Sequence, residues 1–320
     1  MAQNVPFKIV LEALLDNSRT FPARYLNQFS DLNPTDLKAL LKSWPQVAPR
    51  RKLALLEDLE DLAEVDTLTS FDDLARPLLM DPDPQVRVLA IRLLWECEDA
   101  KLVPVYLEML NQDEDPAARA AAANALGLFV YLGELEKIPA DLHHQVEDDL
   151  LEATASDPEA LVRRRALESL GASSRDEVAP LIEAAYHEKN TDWVVSAIHA
   201  MGRSADERWE KQVLSNLRNP IEEVRFEAVH AAGELELKSA RPVLLDALED
   251  EEDLEGRREL IWALSKVGGE GVRNRLEELL DVEPDDEEAE FIEEALDNLA
   301  FNEGTGMFEL FDFEPDDEEK

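Results

Sequence analysis

Apolar residues recur along the chain at the three- and four-residue spacing of amphipathic α-helices, and the pattern itself repeats. In VRVLAIRLLW, ARAAAANALG and VRFEAVHAAG, alanine follows arginine by three residues, and most copies have glycine five residues later. Seven copies align on Arg87, Arg119, Arg163, Val194, Arg225, Arg257 and Ile292. These positions are spaced by 32, 44, 31, 31, 32 and 35 residues. A period in the low thirties with two apolar stretches per period predicts a repeat protein.

Each period is predicted to form two antiparallel helices. In the third copy the first helix is expected at 141–155 and the second at 159–170. The turn between them contains Asp157-Pro158, and Asp81-Pro82 and Asn219-Pro220 occupy the same place in other copies. We expect Asp or Asn to cap the second helix, with Pro in its first turn. The glycine near the end of each copy is expected to terminate that helix.

A helical wheel at about 100° per residue separates a buried arc from the other positions of the second helix. In the first copy this arc contains Val86, Ala90, Leu93 and Leu94. Cys97 falls on the same arc, so we expect it to be a small buried side chain. The recurring arginine lies at the edge of the arc. There it is expected to bond capping carboxylates or the neighbouring repeat, which is a structural role.

The pattern D-P-x-x-x-V-R-x-x-A-x-x-x-L-G resembles the HEAT repeat, specifically the short HEAT-like type named from phycobilin lyases. The resemblance covers residues 70–300 and is clearest at Arg87, Arg163 and Arg225. It implies an all-α fold, a right-handed α-solenoid of about seven to eight antiparallel helix pairs whose second helices line the concave side. It implies little about activity, because this scaffold serves many functions.

The ends of the chain depart from the repeat. Residues 1–69 are predicted to form an N-terminal helical cap, with a helix at about 5–16 and a divergent helix pair in 33–64. Residues 70–300 form the repeats. We expect Gly304 and Gly306 to break the last helix, which leaves 301–320 as an acidic-aromatic tail. Phe308, Phe311 and Phe313 of this tail either bind a partner groove or fold back onto the last repeat.

The 44-residue spacing indicates an insertion of about 12 residues, near 128–144. Such a loop or extended helix is either a functional element or a neutral insertion.

Composition narrows the classes of partner. The chain has 73 acidic and 32 basic residues and a formal net charge of −41, and residues 281–320 contain 18 acidic residues and one basic residue. Nucleic acid and anionic membranes are therefore not expected as partners. The charge fits a partner with a basic patch, or solubility alone. With one cysteine, no signal peptide and no long apolar run, the expected location is the cytoplasm.

The outward positions of the second helices suggest a recognition surface. It combines aromatic, histidine and arginine side chains, mostly in the second half of the chain. The candidate partner-binding residues are Arg164, Val195, His199, Phe226, His230, Arg258 and Trp262. The alternative is that Phe226 and Trp262 pack between adjacent helices.

Catalytic and metal-binding motifs were not found. The sequence has no Gly-rich phosphate loop, GxSxG, HExxH or CxxC, so we expect no enzymatic activity. His199 and His230 are expected about 8–10 Å apart with no third ligand. His143 and His144 are adjacent on a helix and expected to point apart. No metal and no cofactor are therefore predicted.

The favoured hypothesis is a non-enzymatic scaffold that binds a protein or peptide on its concave face. The alternative that the resemblance implies is a phycobilin-lyase-like tetrapyrrole chromophore lyase or chaperone. A third possibility follows DNA glycosylases built on HEAT-like repeats, which need a basic wall that this chain does not offer.

Overall fold

The computed structural model describes residues 5–282 and 286–309, with side chains at 5–282 and 287–302. No β-strand occurs in these ranges, so the described chain is all-α, as predicted. Within the same ranges, every helix is too short or too polar to cross a membrane. Two compact units are present, Met1–Leu170 and Gly171–Lys320.

The first unit contains nine α-helices and three short 3₁₀ turns among its described residues. The α-helices are α1 Phe7–Leu15, α2 Pro34–Ser43, α3 Pro49–Val65, α4 Asp72–Leu78, α5 Pro84–Arg92, α6 Val103–Gln112, α7 Pro116–Glu134, α8 Ala140–Ser156 and α9 Ala160–Leu170. The pair predicted at 141–155 and 159–170 is thus confirmed as α8 and α9. The helices expected at the N-terminus are confirmed as α1, α2 and α3, and Asn33 caps α2 by accepting the N–H groups of Thr35 and Asp36.

The second unit contains eight α-helices among its described residues. They are α10 Val178–Tyr186, α11 Thr191–Arg203, α12 Glu210–Asn216, α13 Glu222–Glu234, α14 Arg241–Asp250, α15 Leu254–Val267, α16 Val272–Asp281 and α17 Asp286–Glu309. Each even-numbered helix packs against the next odd-numbered one, and α11, α13, α15 and α17 pack successively against one another. This stacking of helix pairs is the α-solenoid arrangement. From α4 to α17 the described residues form seven such pairs, within the predicted number.

Small residues allow the second helices to approach closely. The alanines that follow the recurring arginine by three residues, among them Ala90, Ala166 and Ala228, are completely buried. The glycine column ends these helices only in part, because Gly171 directly follows α9 whereas Gly127 lies inside α7, and neither adopts the left-handed conformation expected of a helix-ending glycine. A methyl group added at Gly202 would lie 3.0 Å from the Cα of Ala231. Glycine is therefore needed at this position because two helix backbones nearly touch there.

The turn before α5 also differs from the prediction. Asp83, not Asp81, caps α5, and its side chain accepts the N–H of Gln85. Asp81 lies two residues earlier and accepts the N–H of Asp83 at 2.9 Å. The Asp of the Asp-Pro pair thus shapes the turn that precedes the cap. Its carboxylate also accepts hydrogen bonds from Trp44 at 2.7 Å and Lys52 at 3.0 Å, which ties this turn to the N-terminal helices.

The observed C-terminal ends of α5 and α17 correct two further expectations. Helix α5 ends at Arg92, so Cys97 lies beyond it and is half-buried, with its Sγ accepting a hydrogen bond from Arg76 at 3.1 Å. Helix α17 continues through Gly304 and Gly306 to Glu309, because isolated glycines lower helix stability without forbidding the helix. Phe311 and Phe313 lie outside the described residues, and for Phe308 only the backbone is described.

Candidate partner-binding surface

Three aromatic rings from successive second helices form one stack in the second unit. His199 of α11 and His230 of α13 are parallel, with ring centroids 6.3 Å apart. His230 stacks in turn on Trp262 of α15, at 4.7 Å and an angle of 9°. Because these residues occupy the same position in helices that lie side by side, the repeat itself places the rings in register. The three rings are half-buried, so part of each remains accessible.

Each histidine of the stack is held by a glutamate from the next second helix. His199 Nδ1 lies 2.9 Å from Glu227 Oε1, and His230 Nδ1 lies 2.8 Å from Glu259 Oε1. Burial lowers the pKa of His230, but the hydrogen bond to Glu259 and the nearby charges of Glu259, Glu227 and Glu234 outweigh it. The net effect is a raised pKa, which favours the protonated imidazole.

A cavity of about 510 Å³ opens beside this stack, around the N-terminal parts of α13 and α15. Its apolar lining comes from Val195, Leu217, Phe226, Val229, Ala247 and Leu260. Its acidic lining comes from Glu222, Glu223, Glu227, Glu251, Asp253, Glu255 and Glu259. Arg225 is the basic residue of the lining, and one of its nitrogens donates to the carbonyl of Asn219 at 2.9 Å. The cavity thus combines an apolar wall with a strongly negative one.

The carboxylates of this cavity are of two kinds. Glu227 and Glu259 hold the histidines, while Asp253 accepts the N–H of Gly256 and Glu251 accepts that of Asp253. The remaining carboxylates make no hydrogen bond or ion pair within the part of the chain that the structure describes, and all are exposed: Glu222, Glu223 and Glu255. These three negative charges are available to a partner.

The predicted surface residues fall into separate groups. Val195 and Phe226 line the cavity, while His199, His230 and Trp262 form the stack. Arg258 is engaged by its own chain, because it pairs with Glu287 at 2.9 Å and lies over the ring of Phe291 at 5.7 Å. Arg164 is half-buried in α9 of the first unit, and so belongs to a different unit from the other six.

Phe226 and Trp262 are both half-buried, not enclosed in the hydrophobic interior. Trp262 packs against the Gly233 backbone and the His230 ring, so part of its surface contributes to packing and the rest is accessible. Each of these aromatic side chains therefore has both a structural and an exposed part.

Sequence reasoning missed the carboxylates around the cavity. Glu222, Glu223 and Glu255 were not distinguishable among 73 acidic residues. Their positions in the sequence contained a usable signal. Glu222 and Glu223 lie in the first turn of the second helix that carries Phe226, and Glu255 lies in the first turn of the one that carries Trp262. The basic patch expected of a partner has the charge opposite to that of this acidic wall.

The expectation that His143 and His144 point apart is wrong. Their rings are stacked at 5.9 Å with an angle of 17°, and both face Glu147 of the same helix. The pattern His-His-x-x-Glu contained this information, because side chains three and four residues apart lie on one helix face.

The comparison with family models agrees with the fold. A family model of HEAT repeats matches residues 73–142 and 210–297, which confirms the resemblance in those segments. No curated protein matches the chain.

Similar solved structures include YibA of E. coli, with 20% identity over 88% of this chain and 98% of that one and a TM-score of 0.42. The CpcE–CpcF complex of phycocyanin lyase from Nostoc has 18% identity over 71% and 94% of the two chains and a TM-score of 0.48. Human deoxyhypusine hydroxylase has 18% identity over 92% and 96%, with a TM-score of 0.36.

Proposed function

Since the chain carries HEAT repeats at residues 73–142 and 210–297, we propose that it is a non-enzymatic scaffold that binds a basic segment of a protein partner. The binding site is the cavity around Phe226 in the second unit, together with the adjoining stack of His199, His230 and Trp262. The proposal rests on one observation: three exposed, unengaged carboxylates border an apolar wall formed in part by Val195 and Phe226.

This arrangement suits the two parts of a lysine or arginine side chain. The aliphatic stem can cover Val195 and Phe226, while the charged end remains at the rim with Glu222, Glu223 or Glu255. Because these carboxylates are exposed, pairing with them needs little desolvation. The apolar contact then supplies most of the affinity, and the charges supply orientation and selectivity. The net charge of −41 additionally attracts a basic partner over a longer range.

A peptide array provides the direct test, with basic peptides, acidic peptides of equal length, and uncharged peptides. We expect the protein to retain a subset of basic peptides that contain apolar residues. Phe226→Ala should reduce that retention, and so should the triple variant Glu222→Gln, Glu223→Gln, Glu255→Gln.

A matched control separates the cavity from general electrostatics. The triple variant Glu96→Gln, Glu98→Gln, Glu114→Gln removes the same number of charges from exposed positions in the first unit and should bind as the unaltered chain does. Equal losses in the two triple variants would contradict a specific site, as would the absence of any retained peptide.

The C-terminal phenylalanines are proposed as a second contact with the same partner. Phe308, Phe311 and Phe313 alternate with acidic residues, a composition typical of segments that bind partner grooves. Once a partner is known, the variant Phe311→Ser/Phe313→Ser of the full chain should weaken binding. Unchanged affinity would remove the tail from the site.

The tetrapyrrole alternative has one favourable observation, the stack of His199, His230 and Trp262, whose parallel rings could be extended by a planar pigment that packs on its end. Arg258 is less suited to bind a propionate than the sequence suggested, because it is paired with Glu287. Titration of the protein into a bilin separates the two functions: a visible absorbance spectrum that does not change would exclude the lyase or chaperone role.

A further inference from the structure

A second group of chemically active side chains lies in the first unit, where the end of α7 meets the start of α8. His143 Nε2 is 3.6 Å from Glu147 Oε1, and His144 Nδ1 is 3.6 Å from Glu147 Oε2. One donor atom from each of the three residues lies within 4.8 Å of the others. Glu134 of α7 adds a fourth group, with its Oε1 4.0 Å from His143 Nε2.

The insertion in the repeat pattern creates this cluster. Successive arginine positions elsewhere are mostly 31–32 residues apart, but 44 residues separate Arg119 from Arg163. The additional residues lengthen both helices of the hairpin, to 19 residues in α7 and 17 in α8, against 13 in α11 or α13. Gly133, Glu134 and His143 all lie in this extended part.

Gly133 provides the space that the imidazole of His143 occupies. A methyl group at this position would overlap the ring. The cluster is therefore built from two helices, with a glycine on one that admits a histidine from the other.

The buried part of the cluster contains an unused donor atom. His143 is only 9% exposed, and its Nε2 has no hydrogen-bond partner among the described residues. Buried polar atoms without a partner are costly and rare in folded proteins. Glu147 is only 2% exposed. His144, by contrast, is exposed and leaves the cluster open to solvent.

From this geometry we propose that His143, His144 and Glu147 bind a divalent transition-metal ion of the Zn²⁺ type, with Glu134 or water as the fourth ligand. Zinc bonds to His nitrogen and Glu oxygen are about 2.0–2.2 Å, so donor atoms in a tetrahedral site lie about 3.4 Å apart. The 3.6 Å separation between His143 Nε2 and Glu147 Oε1 is close to this value, and one ligand atom from each of the three residues lies within 4.8 Å of the others. Rotation of the exposed His144 side chain brings its nitrogen to the remaining position.

The donor set also defines the class of ion. Two imidazoles with one carboxylate favour Zn²⁺, Co²⁺, Ni²⁺ or Cu²⁺, whereas Mg²⁺ and Ca²⁺ prefer oxygen ligands only. We expect the exposed carboxylates of this acidic chain to bind hard cations weakly and without fixed stoichiometry. Selectivity for Zn²⁺ over Mg²⁺ therefore distinguishes the cluster from the rest of the surface.

The experiment is calorimetric titration of Zn²⁺ into the full chain, prepared without an affinity tag and in excess Mg²⁺. We expect one Zn²⁺ per chain, and a Co²⁺ complex with the visible absorption of a site that contains nitrogen ligands. His144→Ala should weaken binding at least about tenfold. The nearly isosteric Glu147→Gln should do the same, and circular dichroism establishes that each variant is folded.

His187→Ala is the matched control. His187 is also an exposed helical histidine with a glutamate four residues away, Glu183 at 3.2 Å, but it has no third ligand in the described residues. Zn²⁺ affinity should not change in this variant. Absence of saturable Zn²⁺ binding, or equal affinity in the His144→Ala and unaltered chains, would overturn the proposal. The site lies in the first unit, so this outcome is independent of peptide binding in the second.

Discussion

Arg119 of α7 donates two hydrogen bonds to the carboxylate of Asp157, from Nε at 2.9 Å and from a terminal nitrogen at 3.2 Å. Its other terminal nitrogen donates to the backbone carbonyl of Asp113 at 2.9 Å. One side chain thus joins the turn before α7 to the turn before α9. Arg87 forms the same bridge one repeat earlier, from the carbonyl of Asp81 to the carboxylate of Asp113. At Arg87 and Arg119 the recurring arginine therefore links neighbouring repeats, as the sequence pattern suggested, whereas among the described residues Arg225 bonds only the carbonyl of Asn219 in its own turn.

Replacement of Asp157 by Asn should lower the free energy of unfolding by roughly 2–4 kcal/mol. The Arg119 side chain is only 12% exposed, so loss of the carboxylate leaves a largely buried cation without its partner. Urea unfolding of the two chains measures the difference. Asp246→Asn is the control, because its pair with Arg218 is exposed and should contribute less than about 1 kcal/mol. Equal effects would mean that the bridge between repeats is no stronger than a surface ion pair.

Gly133→Ala should destabilise the protein although alanine favours helices. Helix propensity contributes about 1 kcal/mol in favour of alanine, but displacement of the His143 ring should cost roughly 1–3 kcal/mol. Thermal and urea unfolding provide the measurement. In a His143→Ala background the clash disappears, and the same Gly133→Ala change should become neutral or stabilising. An equal effect in both backgrounds would show that the two residues do not interact.

The contribution of His230 to stability should fall as pH rises. Its folded-state pKa is raised, so its stabilisation is complete below the unfolded value of about 6.5 and is lost as pH rises through the folded pKa. The difference in unfolding free energy between the unaltered chain and His230→Asn should thus be greater at about pH 5.5 than at about pH 8.5. In a Glu259→Gln background this pH dependence should shrink. A difference that grows with pH would contradict the assigned ion pair.

Cys97 should react slowly with thiol reagents. Burial and the neighbouring Asp72 raise the pKa of its thiol, despite the opposing effects of a backbone hydrogen bond from Asp99 and the charge of Arg76. At slightly alkaline pH the thiolate fraction is therefore smaller than in a free cysteine. Ellman's reagent should label the folded chain more slowly than the urea-unfolded chain, and Asp72→Asn should increase the rate in the folded chain. Equal rates before and after unfolding would show that the fold does not protect this thiol.

Periodicity in the sequence predicted most of the helices, because the three- and four-residue spacing of apolar positions is a local property of the chain. The pair predicted at 141–155 and 159–170 differs from α8 and α9 by at most one residue at each end. The helical wheel also identified His199, His230 and Trp262 as one column, since equivalent positions in stacked repeats are neighbours.

Predictions that depended on neighbouring helices were less successful. Gly202 was expected to end a helix, yet its role is to let the backbone around Ala231 approach, which no local pattern reveals. The rings of His143 and His144 were expected to diverge, but both turn toward Glu147 and stack. Side-chain rotamers are selected by the surfaces packed around them, and these surfaces come from residues distant in sequence.

The sequence by itself determined a chain of paired helices, the positions of its repeats and the residues that face outward, since all of these follow from spacing along one helix. Only the tertiary structure decided which carboxylates border Phe226, which glutamates hold the histidines, and that an extended hairpin brings Glu134 to His143. The physical reason is that the helical period specifies only the direction in which each side chain points around the axis of its own helix. The distance to a group on another helix depends on how closely the two helices pack and where each one ends.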